Sequence, residues 1–428
     1  MDSIRAVRGM NDIPPEKEAV WNHLEEVVRE VMVIFGYGNI RTPIVEKTDL
    51  FTRSLGEVTD IVEKEMYTFK DQMNGESLTL RPEGTAACVR AVIQHNLVYG
   101  GGKRLWYMGP MFRHERPQKG RYRQFHQLGV EAVGFDGYEA DTEHLLINNK
   151  LWQMLEISDL QLEINSLGNL ETREEYKKAL VKYLRNHLES IDENSRKRLA
   201  TNPLRILDSK DANTREIVSN GPKIIDYLDK NSLNRFDSIK KTLDKMGVGY
   251  TVNNYLVRGL DYYNDLIYEW TTESLGSQGT VSAGGRYDAL CSQIGGKDTP
   301  ACGFAVGMER VIELLMLKEI PPKVNSIDVY MIFDGQIARE YAWYAASLLR
   351  EEGVSVVFNY DSGSFKSQIK RADSSGADYA IIIGEDEAAS ELVSLKPLRS
   401  RTPQELLTLK NATKKIKSEK FGVKEKNL

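Results

Sequence analysis

Between residues 14 and 35 the chain reads PPEKEAVWNHLEEVVREVMVIF, with Val20, Trp21, Leu24, Val27, Val28, Val31, Met32 and Phe35 recurring at three- and four-residue intervals. That period gathers them on one stripe and predicts an amphipathic helix, stopped by Gly36 and Gly38. The period then shortens. NIRTPIV, EMYTFKD, SLTLRP, KRLWYMGPMF, RQFHQLGVEAVGF and, much later, LIYEWTT and GTVSAGG are short β-like runs. Strands scattered so widely predict a largely antiparallel sheet with helices added, an α+β fold. From about 168 to 235 the texture changes to charged, helix-prone sequence such as EEYKKALVKYLRNHLESI and PKIIDYLDK, which predicts a helical insertion in the sheet domain. Its mixed charge fits a solvated surface; an RNA-facing role is the alternative.

Pro321 and Pro322 mark a linker. Beyond them IDVYMIF, VSVVFNY, YAIIIG and LVSLKPL read as strands, with helices near 336–352 and 364–375 and a last one from about 403. This alternation predicts a small three-layer α/β domain. The expected organisation is therefore a sheet domain over 1–322, with its insertion, and an α/β domain over 323–428. The tail KKIKSEKFGVKEK is basic and apolar-poor and is expected to fray.

Bulk composition narrows the function classes. A net charge of −5 gives no global attraction to nucleic acid, so a polyanion partner needs a local basic patch. Cys88, Cys291 and Cys302 are far apart and form no CxxC pair, which argues against a disulfide framework or structural zinc and fits a reducing compartment. No stretch of about 18 apolar residues occurs, and MDSIRAVRGMNDIPP lacks an apolar leader core. The expectation is a soluble, cytoplasmic protein with no membrane partner.

The local basic patch is FRHERPQKGRYRQFHQLGVE, residues 112–131. It reads as strand, turn (Pro117, Gly120) and return strand. Period-2 alternation places Arg121, Arg123, Phe125, Gln127, Gly129 and Glu131 on one face, and Tyr122, Gln124, His126, Leu128, Val130 and Ala132 on the other. Two guanidiniums, a ring, an amide and a carboxylate in a row suit a nucleotide, because arginine forks match phosphate oxygens and a phenyl stacks on a base. His114 and His126 lack further ligands at metal spacing, so no protein-held metal is expected.

FRHE with its basic loop and Phe125 resembles motif 2 of class II aminoacyl-tRNA synthetases, and GFAVGMERVIELL (303–315) resembles their motif 3, presenting Arg310. LVRGLDYY (256–263) and AGGRYD (283–288) are similar to the two signature peptides of histidyl-tRNA synthetases. TLRPEGT (79–85) matches that family's amino-acid loop, and GNIRTPIVEKTDLF (38–51) fits motif 1 at a dimer interface. The C-terminal unit resembles the anticodon-binding domain shared by several class II synthetases.

The resemblance implies a class II catalytic domain and a homodimer acting on ATP, L-histidine and histidine tRNA, with Mg²⁺ carried by ATP. It implies that Glu83, Thr85 and Gln127 bind the α-ammonium of histidine, and that Glu131 and Tyr263 bind its imidazole, with Tyr287 near the same pocket. Arg113 and Arg258 are implied on the α-phosphate, Glu115 on the adenine amino group, Phe125 and Arg310 around the adenine, and Arg310 and Arg121 on the terminal phosphates. Arg116, Gln118 and Lys119 are implied at the tRNA acceptor end. Plainer structural readings stand beside these: a helix cap at Thr85 with Glu83 near the helix N-terminus, a half-buried strand tyrosine at 263, a glycine turn at AGGRYD, and an Arg258–Asp261 surface pair. The alternative activity is that of the synthetase-like regulatory subunit of ATP phosphoribosyltransferase. Those paralogues generally lack the anticodon domain and the intact signature residues found here. A bare nucleic-acid-binding module over 103–123 leaves Glu83, Glu131 and RGLDYY unexplained.

Overall fold

The computed structural model describes residues 3–56, 59–260, 262–276, 279–318, 327–359 and 364–422. Asp261 and the Pro321–Pro322 linker lie outside the described residues, as does the tail from 423. Contacts divide the chain into two units, Met1–Pro322 and Lys323–Leu428.

The first unit is built on an eight-stranded sheet. Its order is Gly38–Asn39, Lys103–Phe112, Gln124–Val133, Ala301–Gly307, Thr280–Arg286, Asn264–Thr271, Gln161–Ser166 and Thr251–Val252. The six inner strands pair antiparallel, and only the two-residue strands at the edges are parallel. The helix Pro15–Ile34 begins with a proline at its first position and Glu16 and Glu18 in its first turn, both favourable at a positive helix end. It buries Trp21, Leu24, Val27, Val28, Val31 and Met32 against Leu128 and Val130 of the return strand, one face of the predicted alternation. Each such fully buried side chain contributes roughly 1.5–3 kcal/mol.

NIRTPIV is not one strand. Pro43 has no N–H to pair, and the run splits into Gly38–Asn39 in the main sheet and Val45–Lys47 in a separate three-stranded sheet with Ser77–Leu80 and Tyr67–Lys70.

The helical segment comprises Leu170–Arg185, Glu193–Thr201, Ala212–Ser219 and Lys230–Met246. Asn169, Asp192, Asp211 and Asp229 cap these helices, each side chain accepting a backbone N–H, worth about 1 kcal/mol apiece. The last helix runs past 235 because Phe236, Ile239 and Leu243 join the main core. Tyr176, Leu180 and Leu184 instead pack in a second cluster with Tyr262, Tyr263, Ile267 and Tyr287, so the insertion buttresses the opposite side of the sheet.

The second unit is a five-stranded sheet, ordered Val356–Phe358, Val329–Phe333, Tyr379–Ile383, Leu392–Pro397 and Glu405–Thr408. The first three strands are parallel and the last two join antiparallel. Helices Gln336–Glu351, Phe365–Ser374 and Leu409–Gly422 complete it. The expected helix from about 403 starts later, at Leu409, because ELLT alternates and pairs with Leu392–Leu395 at the sheet edge. A vacant edge overrides helix propensity there.

Candidate active site

The hairpin of Lys103–Phe112 and Gln124–Val133 frames an open cleft of about 390 Å³. Phe125 and Gln127 face it from the odd-numbered side of the return strand. The alternation fails before Gln124: Arg123 gives its N–H to Gly9 O at 2.7 Å and its Nε to Glu115 O at 3.0 Å, while Tyr122 turns into the cleft wall. The ladder there is shared with the N-terminal segment, which sequence alternation alone does not register.

Arginines crowd one end. Arg113, Arg121, Arg258 and Arg310 all line the cleft. Arg113 Nε donates to Pro82 O at 2.9 Å, and its guanidinium lies 5.3 Å from the Phe125 ring centre. Arg310 Nε donates to Gly120 O at 3.2 Å and its terminal nitrogen to Thr280 O. Burial lowers the pKa of both; Arg113 and Arg121 lower that of Arg310 further, while Glu65 and Glu83 pull that of Arg113 partly back against Arg121. Arg121 pairs with Glu115, also in the wall, and lies 3.8 Å from Glu65. Arg258 pairs with Glu269 of the strand Asn264–Thr271. Burial, the largest single influence, lowers its pKa, but Glu269 together with Tyr263 and Tyr262 makes the net shift upward. Such like charges close together favour an anion between them.

Two further carboxyls come from the start of the helix Thr85–Gln94 and from the return strand. Glu83 is buried and accepts Thr85 N–H at 2.6 Å and Ala86 N–H at 2.9 Å, capping the helix Thr85–Gln94 while lining the cleft. Its carboxyl is shifted upward by burial, opposed by those two amides. Glu131 is fully buried and, like Tyr287, does not itself line the cleft; it lies behind Thr85 and Gly303, which do. Its Oε1 accepts Tyr107 Oη at 2.8 Å and Thr85 Oγ1 at 2.9 Å, and its Oε2 accepts the Tyr287 hydroxyl. Burial raises its pKa from 4.5 to about 8, against the pull of these three donors. Register explains its room: Glu131 stands opposite Gly303, which in turn stands opposite Gly285. Tyr263 lines the cleft beside Tyr262, with ring centres 4.7 Å apart. Gln127 Oε1 is buried without a partner among the described residues.

Arg116, Gln118 and Lys119 lie outside the cleft on an exposed turn, closed by paired backbone bonds between Gln118 and Arg121 at 2.9 and 3.0 Å. His126 is held by Glu309 at 2.9 Å and His114 packs on Tyr67. Among the described residues no group of three His, Cys, Asp or Glu is disposed to hold a metal ion, and no helix is long and apolar enough to cross a membrane.

A sequence profile described as histidyl-tRNA synthetase matches residues 9–311, and one described as an anticodon binding domain matches 327–419. The histidine–tRNA ligase of Nitrosomonas eutropha is 54% identical over 94% of this chain and 96% of its own length. That of Ralstonia nicotianae is 54% identical over 93% of each. The chain belongs to the histidyl-tRNA synthetase family.

The apo histidyl-tRNA synthetase of Staphylococcus aureus shares the fold with a TM-score of 0.82 at 33% identity, covering 97% of this chain and 100% of that one. The α+β class and the antiparallel catalytic-type sheet expected from the sequence agree with it. A Bacillus halodurans protein named as an ATP phosphoribosyltransferase regulatory subunit/histidyl-tRNA synthetase shares the fold at 21% identity and a TM-score of 0.65.

Several residues at the site carry no local sequence signal. Tyr107 is an ordinary strand tyrosine until its hydroxyl meets Glu131. Glu269 sits mid-strand, eleven positions from its partner Arg258. Arg286, within AGGRYD, is wholly buried and reads as structural: it grips Asp141 at 2.8–3.1 Å and Asp288 at 3.0 Å on either side of Tyr287. Only the acidic and basic partners, brought together by the fold, reveal that role.

Proposed function

We propose that the protein activates L-histidine with ATP and transfers it to the 3′ end of histidine tRNA. The observation that carries this reading is one cleft lined by four arginines and by Glu83, with a carboxyl held by three hydroxyls buried directly behind its lining residues Thr85 and Gly303. In the first step a carboxylate oxygen of histidine attacks the α-phosphorus of ATP. The bond to the β-phosphate oxygen breaks and pyrophosphate leaves. In the second, a ribose hydroxyl of the terminal adenosine attacks the histidyl carbonyl, and AMP leaves with the bonding electrons. Positioning and charge neutralisation account for most of such catalysis.

Arg113 and Arg258 are assigned to the α-phosphate, where a positive charge at 4 Å is worth roughly 4 kcal/mol at an effective dielectric of 20. Arg121 and Arg310 take the terminal phosphates, and Phe125 and Arg310 enclose the adenine. Glu115 takes the adenine amino group; its pair with Arg121 supports a partner exchange on ATP binding. Mg²⁺ arrives with ATP and neutralises phosphate charge, held chiefly by phosphate oxygens and water.

Glu83 and Gln127 are assigned to the α-ammonium, beside Thr85. Each Glu83 oxygen keeps a lone pair beyond the helix amide it accepts, and Gln127 Oε1 is buried and unpartnered among the described residues. Glu131 and Tyr263 take the two imidazole nitrogens, with Tyr287 holding Glu131 in place. An analogue lacking a ring nitrogen would strand a buried group, a discrimination of about 10⁴.

The same reading makes residues 1–322 the catalytic domain with its helical insertion and 323–428 the anticodon-binding domain. It places Arg116, Gln118 and Lys119 at the tRNA acceptor end and the protein in the cytoplasm, consistent with three unpaired cysteines. It also implies a homodimer, supported by exposed Ile44, Val45 and Phe69 in and beside the small sheet of the motif 1 region. Histidine-dependent exchange of pyrophosphate into ATP, followed by charging of histidine tRNA, tests it. Absence of exchange by purified dimer would overturn the reading in favour of a regulatory role.

A further inference from the structure

The N-terminal segment Ser3–Asn11 is tied to the turn that carries Arg116 and Lys119. Gly9 O accepts the N–H groups of Arg123 at 2.7 Å and Gln124 at 3.2 Å. Gly9 adopts φ +86°, and a Cβ there would lie 2.8 Å from Pro117 Cγ, so the backbone of the segment rests directly on the turn. On its free side the segment presents Arg5 and Arg8, both exposed, with Ile4 and Val7 at 101% and 58% exposure. Val7 stands between the two arginines and Ile4 just before them, so among the described residues no apolar packing holds this stretch against the rest of the fold. Arg8 adjoins Gly9, and Arg5, four residues back, can lie no more than about 14 Å from it. Ser3–Asn11 contains no carboxylate of its own; the nearest along the chain are Asp2 before it and Asp12 after it. Arg5 and Arg8 therefore extend the exposed turn, where Arg116 stands beside a Lys119 that lies 3.8 Å from Glu313, into one basic ledge, on a chain whose net charge is −5.

We propose that Ser3–Gly9 is a second docking element for the acceptor end of the tRNA, with Arg5 and Arg8 pairing backbone phosphates while the turn reaches the terminal nucleotides. This rests on the synthetase reading above. Charge complementarity selects RNA: phosphates need flexible cations and no base-specific geometry, and an arm anchored by backbone bonds holds its register while its side chains adapt.

The test compares the full-length protein with its Arg5→Ala/Arg8→Ala double variant. Histidine-dependent pyrophosphate exchange should be unchanged. The KM for tRNA in charging should rise about tenfold, and the log–log salt dependence of tRNA binding should fall in slope by about 1.5. The same loss should appear with a minihelix that contains only the acceptor stem. Unchanged tRNA KM and salt slope would overturn the proposal, as would a loss with whole tRNA that the minihelix does not share. A parallel fall in pyrophosphate exchange would also overturn it, by assigning the arm to support of the cleft. No exchange in the parent protein would instead sink the synthetase reading itself.

Discussion

Tyr287 donates its hydroxyl hydrogen to Glu131 Oε2 across the intervening strand at Gly303. With Tyr107 and Thr85 on the other oxygen, the carboxyl is enclosed by donors and still titrates near 8, since burial outweighs them. The folded state therefore keeps a proton on Glu131 that the unfolded chain releases near 4.5. Stability from this group is fully present below about 4.5 and is lost as pH rises to about 8. The slope approaches about 1.4 kcal/mol per pH unit inside that window. Urea unfolding followed from pH 5 to 9 should show it, and Glu131→Gln should flatten that part of the profile. An equally steep profile in the variant would assign the dependence to other groups.

Gly303 leaves the space that this arrangement needs. A Cβ at 303 would overlap Glu131 Oε2 and crowd the Tyr287 hydroxyl. Gly303→Ala is expected to raise the KM for histidine at least about tenfold while leaving the KM for ATP within about twofold, because the phosphate end of the cleft is untouched. Steady-state exchange kinetics with each substrate varied will separate the two. Equal losses for both substrates would mean that the whole cleft, and not the amino-acid end, depends on this glycine.

The hairpin around Gln127 and Glu131 and the long N-terminal helix were legible because local period alone decides which face is buried. What escaped was set by partners distant in sequence. The plainer alternative for Arg258 pairs it with its chain neighbour Asp261, which lies outside the described residues; Arg258 meets Glu269 of the strand Asn264–Thr271. Arg123 was expected on the face of Phe125, but the Gly9 carbonyl captures its backbone and turns the side chain toward Glu115. Glu405–Thr408 was expected as helix, and only the open edge beside Leu392–Pro397 makes it a strand.

Arg286 and Asp141 form a fully buried ion pair, and Asp141 is approached by Arg235 of the last insertion helix at 3.3 Å. Removing one partner strands the other in the interior. Asp141→Ala should cost about 3–5 kcal/mol in chemical unfolding. Replacing the exposed partner Asp136 of Arg235 should change stability by less than about 1 kcal/mol, as expected for a surface pair.

The arginine end of the cleft is strained by its own charge: Arg113 and Arg121 both depress the pKa of Arg310. A polyanion relieves that repulsion. Pyrophosphate at about 100 times its Kd should stabilise the protein by about 2.7 kcal/mol, read as a rise in Tm. Arg310→Ala should shrink the rise. A similar rise with the variant would place the anion elsewhere.

Arg258 and Glu269 permit rate and stability to be separated. Arg258→Ala removes the charge assigned to the α-phosphate and also leaves the half-buried Glu269 with Thr280, at 2.9 Å, as its remaining side-chain donor among the described residues. Adenylate formation should slow by at least about 10²-fold, with ATP binding much less affected, and unfolding free energy should fall by about 1–3 kcal/mol, between the values for exposed and fully buried pairs. Adding Glu269→Gln discharges the stranded carboxylate, so most of the stability should return. The rate should not, since no cation has been restored. Single-turnover adenylate formation and urea unfolding on both variants provide the check. Recovery of rate together with stability would show that Arg258 acts by holding the sheet in shape, and its assignment to the transition state would then be withdrawn.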